Sequence, residues 1–138
     1  MAAYNKFHAF VEAVAEKKHN LGTDVLKVML TNTAPVAANS VKTDLVEIAA
    51  GSGYVAGGSQ AVQTTSLQAA GLYKLVVGDV VFTSSGTIGP FRYAVLYNDT
   101  AANKELIGWW DYGSSLTLNS GETFTVDYDP TTGVLQIT

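Results

Sequence analysis

FRYAVLYNDTAANKELIGWWDYGSSLTLNSGETFTVDYDPTTGVLQIT, residues 91–138, decides the fold class. It divides into short runs rich in aromatic and β-branched residues: FRYAVLYND (91–99), ELIGWWDYG (105–113), LTLNSGETFTVDYD (116–129) and GVLQIT (133–138). Such residues fit a pleated, half-buried strand. Between the runs lie Asn98-Asp99-Thr100, Asn119-Ser120-Gly121 and Asp129-Pro130-Thr131-Thr132-Gly133, clusters whose side chains favour turns. The last suits a hairpin turn joining TFTVDY to VLQIT.

Upstream, LYKLVVGDVVFTS continues the pattern. Leu72, Lys74 and Val76 alternate with Tyr73, Leu75 and Val77, and Gly78-Asp79 marks a bulge or tight bend. Ser84-Ser85-Gly86 supplies another turn. Short strands at this spacing suggest a sandwich, jelly roll or barrel, and an antiparallel β-sandwich or jelly roll is the fold expected.

Further upstream the text changes. Residues 36–70 are irregular: VKTDLVEIAAG allows a short helical turn capped by Thr43 or Asp44, and GSGYVAGGSQAV is a long loop or a strongly twisted strand. Residues 24–31, DVLKVMLT, alternate as a strand. Residues 4–19 read as the one helix, because Phe7, Phe10, Val11, Val14 and Lys18 recur at helical spacing, with Gly22 as the left-handed stop. The chain is therefore expected to be one mostly β domain over 1–138. Residues 1–20 form an N-terminal helical arm, and 21–138 form the sandwich.

Charge bounds the partners. Only 14% of the 138 residues are charged, against about 25% in an average soluble protein. Ser, Thr, Gly, Ala and Asn stand in their place, giving a surface that is cheap to desolvate against another protein. The net charge is −4, and Arg92 is the single arginine among eight basic residues. Nucleic acid, which calls for clustered cations, is not an expected partner. The N-terminus lacks an apolar core, and the longest apolar stretch is interrupted at Gly78-Asp79. Neither a signal peptide nor a membrane span is expected, and synthesis is placed in the cytoplasm.

Chemistry is sparse. The absence of cysteine removes disulfides and thiolates. His8 and His19 lie about 16 Å apart on a helix, too far to share a metal, and read as solvated. Ser and Thr are plentiful without a nucleophile-elbow pattern. The glycines at 51–58 lack the Gly-Lys-Ser/Thr ending of a phosphate loop. Asp127-Tyr128-Asp129 is only a fragment of a calcium loop. No catalytic, metal or cofactor residue is assigned, and no cofactor is expected. Trp109 and Trp110 point to opposite faces of a strand, one into the core and one half exposed. The alternatives are that both pack within the sandwich, or that the exposed one serves a protein interface or a sugar platform. The candidate interface residues are Phe7, Phe10, Val11, Val14, Tyr54, Trp109, Trp110 and Tyr112.

The segments LKVMLTNTAPVAANSVKTDLVEIAAGSGYVAGG and GPFRYAVLYNDTAANKELIGWWDYGSSLTLNSGETFTVDYDPTTGVLQI, within residues 21–138, resemble small virion proteins of tailed bacteriophages. In role the chain is similar to the capsid cement (decoration) proteins of jelly-roll type. The resemblance implies a homodimer on the capsid exterior, with the major capsid protein as partner. It identifies no binding residues. A tail-associated protein, or a receptor- or carbohydrate-binding module using Trp109 or Trp110 with Tyr112, is the alternative.

Overall fold

The computed structural model describes residues 2–138. Its elements in chain order are β1 (Tyr4–Lys6), α1 (Ala9–Ala15), β2 (Leu26–Thr31), a 3-10 turn (Lys42–Asp44), β3 (Ser59–Gln60), β4 (Gln63–Ala69), β5 (Leu72–Val77), β6 (Val80–Thr83), β7 (Ile88–Asn98), β8 (Leu106–Leu118), β9 (Thr123–Val126) and β10 (Leu135–Ile137). The strands form a five-stranded sheet ordered β1-β8-β7-β2-β3, a three-stranded sheet ordered β10-β5-β4, and the pair β6-β9. Every pairing is antiparallel.

The long β7–β8 hairpin is the spine, and its alternation sets two cores. Leu26, Val28 and Leu30 of β2, with Ala94 and Leu96 of β7, face Leu75 and Val77 of β5, Phe82 of β6 and Val126 of β9 in one large cluster. This is the interior of a sandwich, with the five-stranded sheet as one layer and the shorter sheets as the other. Met29, Val95, Tyr97 and Leu106 point the opposite way and join Phe7 in a second, smaller core, with Leu45 packed against it. Each large apolar side chain so buried contributes about 2 kcal/mol. The pairing shifts register between Leu96 and Tyr97. Ile107 and Gly108 therefore both lie toward the interior, as in a bulge. Beyond it Trp110 faces inward, edge-on to Tyr128 at 5.2 Å, and Trp109 faces outward, 4.6 Å from Phe7.

Near the N-terminus three expectations need correction. The helix does not span 4–19. Tyr4, Asn5 and Lys6 pair with Trp110, Trp109 and Gly108 as an edge strand. A Cβ at Gly108 would lie 2.1 Å from the Tyr4 ring, so the bare glycine makes room for it. Phe7 then turns to the outer core, and only 9–15 are helical. The stop is Lys17, not Gly22: it takes φ 68°, with Lys17 N–H on the Val14 carbonyl and Lys18 N–H on that of Ala13. This is the Schellman pattern with a non-glycine residue in the left-handed position. The histidines are not a solvated helix pair, because His19 lies beyond the helix and is buried.

Within 36–70, the helical turn is confined to 42–44, where Asp44 Oδ2 accepts from Ser40 N (2.8 Å) and Val41 N (3.2 Å). These bonds hold the Asp44 carboxyl below its ordinary pKa. Residues 63–69 are a full strand. Asp129–Gly133 does turn, its Asp129 Oδ1 accepting from Thr131 N at 2.7 Å. It does not close a hairpin, because β9 pairs with β6 and β10 with β5. The turn carries the chain from one sheet to another.

Candidate interaction surface

From Ile48 to Tyr73 the chain has no charged side chain. This stretch runs along one flank of the sandwich. β3 is the last strand of the five-stranded sheet, β4 is the last of the three-stranded sheet, and only Ala61 and Val62 separate them.

The two sheet edges on this flank end differently. β3 covers only Lys27 and Val28 of β2. Past it, the free backbone of Leu30 is closed by the loop: Ile48 N donates to Leu30 O at 3.1 Å, and Leu30 N donates to Tyr54 Oη at 3.1 Å. Tyr54 Oη in turn donates to Glu47 Oε2 at 2.5 Å, which also accepts from Gly57 N at 2.6 Å. Glu47 Oε1 pairs with Lys42 Nζ at 3.0 Å, and the Glu47 side chain is only 16% exposed. Tyr97 Oη donates to Gly57 O at 2.6 Å. Gly58 completes the seal. Its φ is +82°, and a Cβ there would meet Val28 O at 1.8 Å, so only glycine permits the approach. Burial first, then the bond to Glu47, raises the Tyr54 hydroxyl above the ordinary tyrosine pKa. It stays a donor at neutral pH.

β4 has no such cover. None of its seven residues is buried, and Leu67 is 70% exposed. Its inner side is fixed to β5, from Gln63 opposite Val77 to Ala69 opposite Leu72. Its start is anchored by Gln63 Nε2, which donates to Leu21 O (3.0 Å) and Asp24 O (2.7 Å). Its far side ends the sheet. Val55 and Val62, 70% and 56% exposed, add apolar surface to the same uncharged stretch.

The structure does not gather the eight residues singled out from sequence into one surface. Phe7, Phe10, Tyr54 and Trp110 are buried in the chain's own cores. Tyr54 closes the β2 edge from within. Val14, Trp109 and Tyr112 are half-buried. Tyr112 packs edge-on to Phe124 at 4.9 Å, and burial raises its hydroxyl to about 12. Val11, on the outer side of α1, is 54% exposed. Sequence reading missed Glu47, Lys42, Tyr97 and the open strand β4. The absence of charge from 48 to 73 is the signal that marks this flank.

Two polar clusters lie elsewhere. Arg92 and Asp111 form a two-pronged ion pair on the half-exposed end of the spine, Nε to Oδ1 at 2.8 Å and Nη2 to Oδ2 at 3.1 Å. At the other end, Asn98 Oδ1 accepts from Thr100 N and Ala101 N. Its Nδ2 therefore faces Asp24 Oδ2 (2.7 Å) and His19 Nδ1 (3.0 Å). The imidazole must accept at Nδ1, which makes it neutral with its proton on Nε2. Burial lowers the His19 pKa, against the pull of Glu105 and Asp24. Among the described residues, no three His, Asp or Glu side chains stand together as a metal site.

These features define an antiparallel β-sandwich with one short helix and an uncharged flank. Compared with known protein families, characterised proteins and solved structures, the chain matches none.

Proposed function

We propose that this chain is a structural virion protein of a tailed phage. It acts as a capsid cement (decoration) protein of jelly-roll type, bound to the outer surface of the head. Its partners are the major capsid protein and a second copy of itself. The observation that carries the binding role is the uncharged flank at 48–73, where Val55, Val62 and Leu67 stand exposed beside a free strand edge. Removing water from such a surface costs little, and backbone groups on the edge offer hydrogen bonds to a partner. The assignment to phage heads comes from the resemblance of residues 21–138 to small virion proteins. A net charge of −4 suits an outer position, away from packaged DNA.

The mechanism is mass action. A protein that binds the assembled lattice and not its separated subunits stabilises the lattice. Many symmetric copies multiply a weak contact without any new chemistry. Quantitative mass spectrometry of purified particles tests the reading. Hundreds of copies per particle are expected. A handful would move the protein to the tail, and none would remove it from the virion.

A further inference from the structure

β4 runs Gln-Thr-Thr-Ser-Leu-Gln-Ala from 63 to 69, about 24 Å of strand. Natural sheets keep open edges apart with lysines, prolines, inward charges or very short strands. β4 has none of these: it is seven residues long, uncharged and free of proline. Its only irregularity is the register shift between Gln63 and Thr65, at the anchored end.

The geometry points to a second copy of this chain as the occupant of this edge, paired antiparallel about a two-fold axis at Ser66. Both features of the strand favour a copy over an unrelated partner. In a chain of net charge −4, two molecules repel over most approaches, and β4, which carries no charge of its own and has the cation Lys74 as its cross-strand neighbour, is where they meet at least cost. The sequence is also compatible with itself. Centred on Ser66, the pairing sets each Leu67 opposite a partner Thr65 on the face that carries Lys74, and each Gln68 opposite a partner Thr64. A leucine against a β-branched residue is a favourable cross-strand pair, and no like charges oppose each other. The two three-stranded sheets become one of six strands. An interface this narrow falls in the small class, so the dimer is weak and concentration-dependent.

The inference deepens the self-association part of the cement reading and is independent of head binding, because its test uses the purified chain alone. Sedimentation equilibrium across a concentration series should show a reversible monomer–dimer transition. The double variant Thr65→Lys/Leu67→Lys places like charges opposite each other at both positions and should weaken the dimer at least about tenfold. Far-UV circular dichroism should show that variant folded. Val11→Lys serves as the control. It alters the groove of about 280 Å³ that Phe10, Val11 and Val14 form with Ile137, and it should leave the dimer intact. A chain that stays monomeric throughout, or a dimer lost with Val11→Lys and kept in a folded edge variant, overturns the proposal. Should the edge variant fail to fold, Thr65→Glu/Leu67→Glu, which again sets like charges opposite each other, gives the same reading.

Discussion

The two sheet edges beside the uncharged stretch 48–73 carry the same kind of backbone and end in opposite ways. On the five-stranded sheet, Glu47, Tyr54 and Gly57 close off β2 with hydrogen bonds, and Lys42 balances the half-buried carboxylate. On the three-stranded sheet, β4 ends in solvent. An unpaired buried donor or acceptor costs about 1–3 kcal/mol, so an edge facing an apolar loop has to be satisfied from within the chain. An edge facing water is satisfied by water until a partner arrives. The closed edge thus belongs to folding, and the open one is available for binding.

The strongest way to break this contrast is Glu47→Ala. It strips the acceptor from Tyr54 and Gly57 and leaves Lys42 unpaired, and should cost about 3 kcal/mol in urea unfolding. Tyr54→Phe keeps the ring against Phe82 (5.8 Å) and removes only the hydroxyl, and a loss of about 2 kcal/mol is expected. A cost below about 0.5 kcal/mol for either would mean that the loop does not hold the edge.

Acid probes the fold at the His19–Asn98–Asp24 cluster, which anchors the start of β4 through Gln63. Because burial lowers the folded-state pKa of His19, the unfolded chain takes up the proton more readily. Stability is full above the ordinary histidine value of about 6.5 and declines as pH falls through it. Charging Nδ1 also sets an N–H against the Asn98 amide. The decline between pH 7 and 5 should be smaller than either substitution and should flatten in His19→Gln. A stability that rises over that range would contradict the placement of the ring. Leu67→Lys should have the smallest effect on the monomer, within about 0.5 kcal/mol, because the side chain at the open edge touches little.

Much of the sandwich was legible in the sequence because alternation is local. LYKLVV, FRYAVLYN and the Trp109–Trp110 split each follow from a period of two. What was missed depended on distant partners. Phe7, Phe10 and Val14 keep helical spacing, yet Tyr4–Lys6 is drawn into pairing with β8, more than a hundred residues away. QTTSLQA shows no alternation because none of its residues is fully buried, so β4 fell within the stretch read as irregular. Nothing local in the sequence marks Glu47, and only the folded chain brings Tyr54, Gly57 and Lys42 around it. The hairpin expected at Asp129–Gly133 had sound turn chemistry, but local chemistry does not say which strands pair.

Backbone amide hydrogen exchange of Gln63–Ala69, followed at increasing protein concentration, tests most directly whether β4 is a binding edge. Outward-facing amides of the strand should exchange fast in dilute solution and slow as concentration rises, while Leu30 N–H stays protected throughout by Tyr54. Amides in β4 that are equally protected at every concentration, or a Leu30 N–H that exchanges as fast as they do, would contradict the division into a closed edge and an open one.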